Sequence, residues 1–494
     1  MRATLSPTQM QTMENMYAAA SGTATLDLME RAAQHVVAAI EEMLGGYEGK
    51  RAYFACGPGG NGGDGYAAAR LFASRGGRSV IVSVNDEEKL RGDARTNCRR
   101  AHEAARCFFQ DVSSIGALPP PDIWVDALFG IGLSKQLQGD ALLIARRMNA
   151  DGRVLSIDIP SGISGTTGRA LGEYVRAELT VTFESEKWGH HLNDGLDYCG
   201  KIISQSIGIP NELFPKDAVY LVEGSDLAPV RLPRRRNSQK GDYGRLLIIA
   251  GSFGMAGACA IAARAALRSG VGLVSVACPA SIVNVVQQLA PCATCIPLPE
   301  SGGAISSDAV PLLRDALGTS SAVAIGPGLS RRCAAAVVAT VVSCGRPVVL
   351  DADALNLVSD SVRLRKLICS HHVITPHMGE AARLLNRACE DPISDARALQ
   401  KMGCVVLLKG ASSVIVGKHT RISQSGTPGM SKGGSGDALT GIVGALLARG
   451  YDAEDAAWMG SHIHGLAGEA AARLHGESSM TALDLIDALG GILS

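Results

Sequence analysis

Short apolar strands alternate with glycine-containing loops and helical stretches along most of the chain. In the first half the predicted strands are residues 51–55, 79–84, 123–127, 154–159 and 179–183. In the second half they are residues 245–250, 272–277, 322–325, 347–350, 372–374 and 404–408. Strands that alternate with helices form mostly parallel sheets whose loops gather at one rim. The pattern therefore predicts an α/β fold with one sheet in each half.

The glycine-rich stretch GTPGMSKGGSGDALTG, residues 426–441, is the strongest candidate for a functional loop. Six glycines in sixteen residues predict a loop over 426–436, and the apolar run that follows predicts a buried helix over 438–449. Loop amides and a helix N-terminus directed at one point form an anion site, and Asp437 lies on the first turn beside it. The alternative is an ordinary helix cap after a flexible loop, which the glycine density disfavours. Gly441 and Gly444 on this helix predict a close approach by a neighbouring backbone.

A second glycine cluster, CGPGGNGGDG, follows the first strand. Gly57, Gly59 and Gly62 satisfy G-x-G-x-x-G between a strand and a helix, which is the setting of the dinucleotide fingerprint. Asp86 stands roughly where a ribose-binding acid would. A nicotinamide dehydrogenase is therefore one hypothesis. The extra glycines and Asp64, whose carboxylate would repel a pyrophosphate inside the predicted loop, count against it.

Polar residues occur at the carboxyl ends of several predicted strands, where an open parallel sheet binds its ligands. Asp126 and Asp158 end two strands of the first half, each followed by Gly or Ser. Asn61, Asp126 and Ser161 offer only oxygen ligands, which favour a hard cation over zinc. Any one of these residues is more often a cap than a ligand, but such turns on successive strands favour a functional crevice.

Other histidines, cysteines and lysines are less informative. His377 could hydrogen-bond a substrate and Lys409 could approach a phosphate. The pair His190 and His191 has no partner at metal-ligand spacing and is predicted to lie at the surface or a rim. A lone C-x-x-C, from Cys292 to Cys295, has no second pair to complete a zinc site.

The composition limits the class of protein. A chain of 494 residues predicts two or three domains, and equal numbers of basic and acidic residues, 47 each, give no global field for nucleic acid or membrane. The 13 scattered cysteines fit a reducing cytosol. The chain start has no apolar signal core and no unbroken apolar run approaches membrane length, so a soluble cytoplasmic protein is expected. Residues 211–241, rich in Pro and charge, predict the domain boundary.

Taken together, these motifs resemble a known family. GPGGNGGDG, VDALFGIG and IDIPSG in the first half are similar to the NAD(P)H-hydrate epimerase domain. KGDYGRLLIIAGS, MAGA, TPHMGE, KGAS and GTPGMSKGGSGD in the second half are similar to the ADP- or ATP-dependent NAD(P)H-hydrate dehydratase domain. The fusion resembles bifunctional nicotinamide nucleotide repair enzymes. It implies an N-terminal Rossmann-like αβα sandwich, residues 1–218, and a C-terminal ribokinase-like αβα domain, residues 219–494.

The resemblance implies a chemistry for each domain. Hydrated NADH or NADPH exists as R and S epimers at C6, which the first domain would interconvert. The second domain would phosphorylate the S hydrate with ADP, and loss of phosphate would restore the double bond; ATP is the alternative donor. K⁺ in the first domain and Mg²⁺ in the second are the implied ions. Small-molecule substrates and a homo-oligomer are expected, with no nucleic acid or membrane partner.

The same resemblance implies roles for individual residues. Asp437 would be the base on the hydroxyl, the amides of 433–436 would stabilise the transferring group, and Asp158 would handle the proton during epimerisation. The hydrate would be bound by Gly60, Asn61, Gly62, Gly63, Asp64, Gly130, Ile131, Gly132, Leu133, Ser134, Lys135, Gln136 and Asp158 in the first domain, and by Ala258, Gly328, His377 and Asp437 in the second. The nucleotide would be bound by Lys409, Gly410, Ala411, Ser412, Ser413 and Gly436. K⁺ would be bound by Asn61, Asp126 and Ser161.

The chain departs from the family pattern at three positions. Gly60 replaces the first of two asparagines, Ser435 stands where Met is common, and Ala354 stands where Gly is common. The first change would loosen contacts with the hydrate. The alternative for the whole chain is a ribokinase-like small-metabolite kinase fused to a nucleotide-binding domain, and a non-catalytic binding module is a third hypothesis.

Overall fold

A computed structural model describes residues 1–231 and 234–493 of the chain. The chain divides into two compact units. The first unit comprises Ala3–Val219, and the second comprises Met1–Arg2 with Tyr220–Ser494. Each unit is built on a mainly parallel sheet, so the predicted α/β class is confirmed. No helix in the described part of the chain has the length and apolarity needed to cross a bilayer.

The elements up to Gln205 follow the predicted alternation. The strands are β1 (Arg2–Thr4), β2 (Arg51–Cys56), β3 (Arg78–Ser83), β4 (Cys107–Gln110), β5 (Ile123–Ala127), β6 (Val154–Ile157), β7 (Leu179–Phe183) and β8 (Lys201–Gln205). The helices are α1 (Pro7–Ser21), α2 (Thr25–Leu44), α3 (Gly60–Ser74), α4 (Gly92–His102), α5 (Gly139–Asp151) and α6 (Gly195–Tyr198). Helix α2 begins at Thr25 without a side-chain cap. Its N-cap is Ala24, which makes no side-chain hydrogen bond, and Asp27 lies in the first turn.

The sheet of the first unit has the order β4-β3-β2-β5-β6-β7-β8, with parallel neighbours throughout. β5 and β7 are buried along their whole length, as expected for strands covered on both faces. From β2 the chain builds outward through β3 and β4, and then returns to place β5 on the other side of β2. The carboxyl ends of β2 and β5 therefore border the switch point, where open α/β sheets bind ligands.

The elements after Gln205 form the second unit, apart from the start of β9. The strands are β9 (Val219–Leu221), β10 (Arg245–Ile249), β11 (Leu273–Pro279), β12 (Thr294–Leu298), β13 (Glu300–Ser301), β14 (Ala304–Ile305), β15 (Ala322–Ile325), β16 (Val348–Leu350), β17 (His372–Ile374), β18 (Val405–Leu408), β19 (Ser413–Val416) and β20 (Thr420–Ser423). The helices are α7 (Ala256–Arg268), α8 (Val283–Leu289), α9 (Val310–Thr319), α10 (Ala335–Val342), α11 (Ala352–Ser359), α12 (Val362–Arg365), α13 (Met378–Leu385), α14 (Pro392–Gln400), α15 (Ser435–Ala448), α16 (Ala453–His475) and α17 (Ala482–Ile492).

The main sheet of the second unit runs β9-β20-β19-β18-β17-β16-β15-β10-β11-β12. Along this order, all neighbouring strands from β18 through β10 to β12 are parallel. The neighbours β18 and β19, and β19 and β20, are antiparallel. The switch point lies between β10 and β15. Helix α15 is buried along almost its whole length and packs on α7. A side chain at Gly441 would overlap the carbonyl oxygen of Ala262, so the predicted close approach is confirmed there.

Candidate active sites

The first crevice opens at the switch point between β2 and β5. The amide of Gly57 donates to the carbonyl oxygen of Ala127 at 2.9 Å. A side chain at Gly57 would overlap the carbonyl oxygen of Leu128, and one at Gly62 would overlap that of Gly57. Gly57 and Gly62 of the fingerprint are therefore required by contacts within the protein itself, without a dinucleotide pyrophosphate, whereas a side chain at Gly59 would meet no atom within 4 Å.

Helix α3 begins earlier than the glycine density predicts. Its N-cap is Gly59 and its first residue is Gly60, so Asp64 lies in a helix and the prediction that it lies in a loop is wrong. The backbone packing that excludes a side chain at Gly62 also fixes the start of the helix. A Cβ placed on Gly60 would meet no atom within 4 Å, so a side chain would fit there. Gly60, which stands where the family pattern has an asparagine, therefore lacks that polar side chain although there is room for one.

Asp126 and Ser161 are in direct contact below this crevice. Asp126 is fully buried and accepts from the Ser161 hydroxyl at 2.7 Å, from the Ser161 amide at 2.8 Å and from Ser156 at 2.9 Å. The remaining bond, from the Leu128 amide, measures 3.3 Å. Burial raises the pKa of Asp126, and the hydrogen bonds from Ser161 oppose that rise. All four donors are neutral, so the carboxylate has no cationic hydrogen-bond partner among the described residues.

Asn61 is the third residue predicted to bind the ion. Both its amide oxygen and its amide nitrogen are buried without a hydrogen-bond partner among the described residues. A Cβ placed on Gly130 would lie 3.3 Å from Asn61 Cγ and 3.1 Å from Asp158 Oδ2. The fold therefore brings Asn61, Gly130 and Asp158 together, as the sequence predicts.

Asp158 is held by a buried lysine. Lys187 Nζ lies 2.6 Å from Asp158 Oδ1 and also donates to Thr182 Oγ1 at 2.7 Å and to Phe183 O at 3.3 Å. Thr182 donates to the same Oδ1 at 3.1 Å. Burial alone would raise the pKa of Asp158, but the charge and hydrogen bond of Lys187 outweigh it and lower the pKa. Asp158 is therefore ionised at neutral pH.

The backbone of Asp158 is fixed by a histidine that the sequence pattern predicts at the surface. Asp158 has φ +68°, a left-handed conformation that few side chains adopt. His190 Nδ1 accepts from the Lys187 amide at 3.1 Å, so its Nε2 carries the proton and donates to the Asp158 carbonyl oxygen at 2.9 Å. Burial lowers the pKa of His190 to about 3. His190 and His191 are both buried, so the prediction for this pair is wrong.

Two further carboxyl groups surround this ion pair. Burial raises the pKa of Asp64 well above its usual range, and the charges of Asp158 and Glu14 add to the rise. Burial likewise raises the pKa of Glu14 to about 7, against the charge of Lys187. The crevice thus combines two acids with opposite shifts, since the pKa of Asp158 is lowered and that of Asp64 is raised.

The predicted substrate loop 130–136 follows β5 and reaches the solvent. The amide of Ile131 donates to Asp158 Oδ2 at 3.3 Å, so the beginning of the loop touches the candidate catalytic acid. Ser134, Lys135 and Gln136 are exposed. The structure brings the first two residues of this loop to the crevice, and the other five stay predictions.

The second crevice opens at the switch point between β10 and β15. The Gly251 amide donates to Pro327 O at 2.9 Å, and the Ser252 hydroxyl donates to Gly328 O at 2.9 Å. Gly328 has φ +59°, and a Cβ placed on it would lie 3.0 Å from Ala258 Cβ. Two residues predicted to bind the hydrate, Ala258 and Gly328, are thus neighbours at the rim of the sheet.

Asp437 lies at the beginning of α15, as predicted. Gly434 caps this helix with φ +94°, and Asp437 is acidic in its first turn. The side chain is half-buried and accepts no hydrogen bond from the described residues. Burial and, after it, the charge of Asp351 raise the pKa of Asp437 against the opposing charge of Lys409, and the resulting pKa is about 6. The carboxylate is therefore accessible and close to the pKa that suits a general base at neutral pH.

The first turn of α15 is fixed by a buried histidine. His464 Nε2 lies 2.9 Å from Ser435 O, a carbonyl oxygen that can only accept, so this nitrogen carries the proton. Burial lowers the pKa of His464 to about 4, and the ring is neutral. This bond holds the turn that carries Asp437.

Lys409 links the nucleotide segment to α15 through Asp351. Lys409 Nζ lies 2.6 Å from Asp351 Oδ1, and the Thr440 hydroxyl lies 2.7 Å from Asp351 Oδ2. A Cβ on Gly436 would lie 3.6 Å from Lys409 Nζ and 3.7 Å from Asp351 Oδ2. The structure therefore brings together Lys409, Gly436 and Asp437, which the sequence assigns to the nucleotide and to catalysis.

The remaining predicted residues lie on neighbouring turns. His377 caps α13, its Nδ1 accepts from the Gly379 amide at 3.0 Å, and it pairs with Lys409 in an isolated bridge. Residues 410–412 form the turn between β18 and β19, and Ser413 begins β19. The Ser412 hydroxyl is buried without a hydrogen-bond partner among the described residues, so it has the capacity to hydrogen-bond a ligand.

Each half of the chain matches a known protein family. The family model described as YjeF-related protein N-terminus matches residues 25–189, and the model described as NAD(P)H-hydrate dehydratase matches residues 246–490. The bifunctional NAD(P)H-hydrate repair enzyme Nnr of Moorella thermoacetica is 36% identical, over 94% of this chain and 92% of that protein. The enzyme of the same name from Coxiella burnetii is 34% identical over 97% of this chain and 96% of that protein.

The chain belongs to the family of bifunctional NAD(P)H-hydrate repair enzymes. The resemblance derived from the motifs is therefore confirmed. A solved ADP/ATP-dependent NAD(P)H-hydrate dehydratase from Bacillus subtilis, crystallised with ATP and Mg²⁺, is also similar. It shares 26% identity over 56% of this chain and 97% of that chain, with a TM-score of 0.46.

Several residues of this repair-enzyme site are not predictable from the sequence motifs. Lys187, His190, Asp351, Thr440 and His464 have no motif spacing of their own, because each acts on a partner far away in the chain or on a backbone group. The nearest signal is a position at a strand end, which applies to Asp351 at the end of β16. The other four carry no comparable signal in the sequence.

Proposed function

We propose that the chain repairs hydrated NADH and NADPH in two steps. The first unit interconverts the R and S hydrates. The second unit converts the S hydrate back to NAD(P)H with ADP as the phosphoryl donor, releasing AMP and phosphate; ATP is the alternative donor. Family membership supports this function, and each unit carries the match to one of the two domain families. We place the domain boundary between residues 218 and 219.

The acid–base chemistry of the first unit rests on Asp158. Its Oδ1 is taken up by Lys187 and Thr182, whereas Oδ2 faces Gly130 and the Ile131 amide. Oδ2 is therefore the oxygen that can exchange a proton with a bound hydrate. The pKa of Asp64 is raised while that of Asp158 is lowered, and two acids whose pKa values are pushed apart suit proton removal and proton return in one site. The rest of the predicted loop 130–136 and residues 60–63 would bind the hydrate.

The residues predicted to hold K⁺ fit such an ion. Asp126 is a buried carboxylate hydrogen-bonded only to neutral donors, and Asn61 has a buried amide oxygen without a partner. A large monovalent cation would neutralise the first and satisfy the second, with Ser161 Oγ as a further oxygen ligand. The bound ion would supply a positive charge next to the hydrate.

The chemistry of the second unit rests on Asp437. As the base, Asp437 takes the proton from the C6 hydroxyl while this oxygen attacks the β-phosphoryl group of ADP, and AMP leaves. Loss of the new phosphate from C6 and of a proton from C5 then restores the double bond. The amides of 433–436 and the positive end of α15 suit the charge on the transferring group, and Lys409 adds a cation. The hydrate would lie against Ala258, Gly328 and His377, and the nucleotide against 409–413 and Gly436.

Mg²⁺ fits this crevice only together with a nucleotide. Among the described residues, no cluster of three or more His, Cys, Asp or Glu side chains with metal-ligand spacing lies there. Mg²⁺ usually takes most of its ligands from phosphates and water, so a prebuilt protein cage is not required. When bound, the ion would neutralise phosphate charge.

The cellular setting and assembly are also proposals. All 13 cysteines are unpaired, which supports a reducing compartment such as the cytoplasm. We propose that the protein acts there on small molecules alone, as a homo-oligomer.

The observation that carries the proposal is the accessible Asp437 carboxylate beside Lys409 at the start of α15. The test follows absorbance at the reduced-nicotinamide band with mixed R and S hydrates and ADP. Wild-type protein is expected to restore reduced nucleotide, one for each ADP consumed, and Asp437→Asn is expected to restore none. A phosphorylated small molecule that accumulates without restored NADH would instead identify a kinase.

A further inference from the structure

One buried carboxylate, that of Asp351, joins two parts of the second crevice. Asp351 follows β16, is only 2% exposed, and has one strong partner on each oxygen. Oδ1 accepts from Lys409 Nζ at 2.6 Å, and Oδ2 accepts from the Thr440 hydroxyl at 2.7 Å. Lys409 follows β18, and Thr440 lies in the second turn of α15. The carboxylate is therefore a bridge between two elements whose residues are far apart in the chain.

The Thr440 hydroxyl extends this bridge to the catalytic turn. Its oxygen also lies 3.1 Å from the carbonyl oxygen of Gly436, so its single proton is shared between Gly436 and Asp351. Gly436 precedes Asp437, and its amide is one of the four, from 433 to 436, that are proposed to stabilise the transferring group. A shift of Asp351 would therefore move both the Lys409 ammonium and the turn that carries the base.

We propose that Asp351 is a positioning residue for the dehydratase reaction. It holds Lys409 and the start of α15 at one fixed separation. The hydroxyl that Asp437 deprotonates can then attack the phosphoryl group in line with its leaving oxygen. The inference rests on the proposed function of this crevice and adds two residues to it, Asp351 and Thr440. Neither has to touch the hydrate or the nucleotide.

The charge of Asp351 also affects the pKa of Asp437. The charged groups that face Asp437 are Asp351 after β16 and Lys409 after β18, and the Cys259 thiol approaches from α7. Glu380 on α13 reaches this set through Lys409, at 4.0 Å. The charge of Asp351 helps to raise the pKa of Asp437, after burial, so removing that charge lowers the pKa. A residue with a purely structural role would leave the pH dependence unchanged.

The first test compares Asp351→Asn with Asp353→Asn. Asp353 is a matched control, because it lies only two residues away but has other partners. It accepts hydrogen bonds from the Ser330 amide at 2.8 Å and from the Asn356 side chain at 3.2 Å, and not from Lys409 or Thr440. With pure S hydrate and saturating ADP, wild type and Asp353→Asn should lose about tenfold in rate from pH 7 to pH 5. Asp351→Asn should be slower at pH 7 and should lose clearly less on acidification. An unchanged ratio in Asp351→Asn would overturn the proposal.

The second test keeps the buried charge pair and breaks the bridge elsewhere. Thr440→Val removes only the hydroxyl, and Thr440→Ser retains it. Thr440→Val should lower kcat by at least about tenfold with little change in KM, because small displacements of reacting groups cost rate more than affinity. Thr440→Ser should restore most of the rate.

A normal kcat in Thr440→Val, or no rescue by Thr440→Ser, would contradict the positioning role even if Asp351→Asn fails to fold. The proposed function can fail separately. In that case wild-type protein itself would not restore NADH from the S hydrate.

Discussion

The dehydratase reaction should lose rate in acid at an unusually high pH for an aspartate base. Burial and the charge of Asp351 raise the pKa of Asp437 to about 6. A group with this pKa is about 90% ionised at pH 7 and about 9% ionised at pH 5. If only ionised Asp437 accepts the proton, the rate falls about tenfold over this interval. An ordinary aspartate, with a pKa near 3.9, would remain about 93% ionised at pH 5 and would show almost no loss.

The assay measures initial rates of NADH recovery from purified S hydrate at saturating ADP, from pH 5 to pH 8. A blank without enzyme subtracts spontaneous interconversion, and a return to pH 7 after exposure to pH 5 excludes irreversible unfolding. Asp437→Asn should have no measurable rate at any pH. A wild-type rate that is equal at pH 5 and pH 7 would refute the reasoning, since the base would then be a group other than a half-buried Asp437.

Three further outcomes are expected. Lys187→Met leaves Asp158 without its cation, so epimerase activity should be lost. The free energy of unfolding of the first unit, measured by denaturant titration, should fall by about 3–5 kcal/mol. The control Lys201→Met, at an exposed lysine, should change neither the activity nor this free energy. Gly441→Val forces a side chain against the Ala262 carbonyl oxygen, so thermal unfolding of the second unit should shift downward by the equivalent of about 1–3 kcal/mol. Replacing K⁺ by Li⁺ in the buffer should slow epimerisation and leave the S-hydrate dehydratase rate unchanged, and equal epimerisation rates in both salts would exclude a K⁺ site.

The sheets could be predicted from the sequence because their buried parallel strands are short runs rich in apolar and β-branched residues. The bounds of β7, Leu179–Phe183, and β15, Ala322–Ile325, match the prediction. The start of α3 does not match, because glycine density predicts a loop, and only the packing of Gly62 on Gly57 shows why glycines begin a helix.

The catalytic candidates are predictable and their supporting residues are not. Asp437 stands in a motif whose local composition already indicates an anion site. Lys187 and Asp351 do not stand in a motif that indicates their roles. Lys187 pairs with Asp158, and Asp351 pairs with Lys409, which lies far away in the chain. The prediction for His190 is wrong for a related reason: its partners are backbone atoms, which leave no pattern in the sequence.

The most direct test of two activities in one chain is the yield of NADH from an equal mixture of R and S hydrates with excess ADP. Wild-type protein should convert the whole mixture, because the first unit continuously supplies S hydrate to the second. Asp158→Ala should stop once the S share is consumed. A wild-type reaction that stalls at the S share would contradict the epimerase assignment, and one that yields no NADH would contradict the repair function itself.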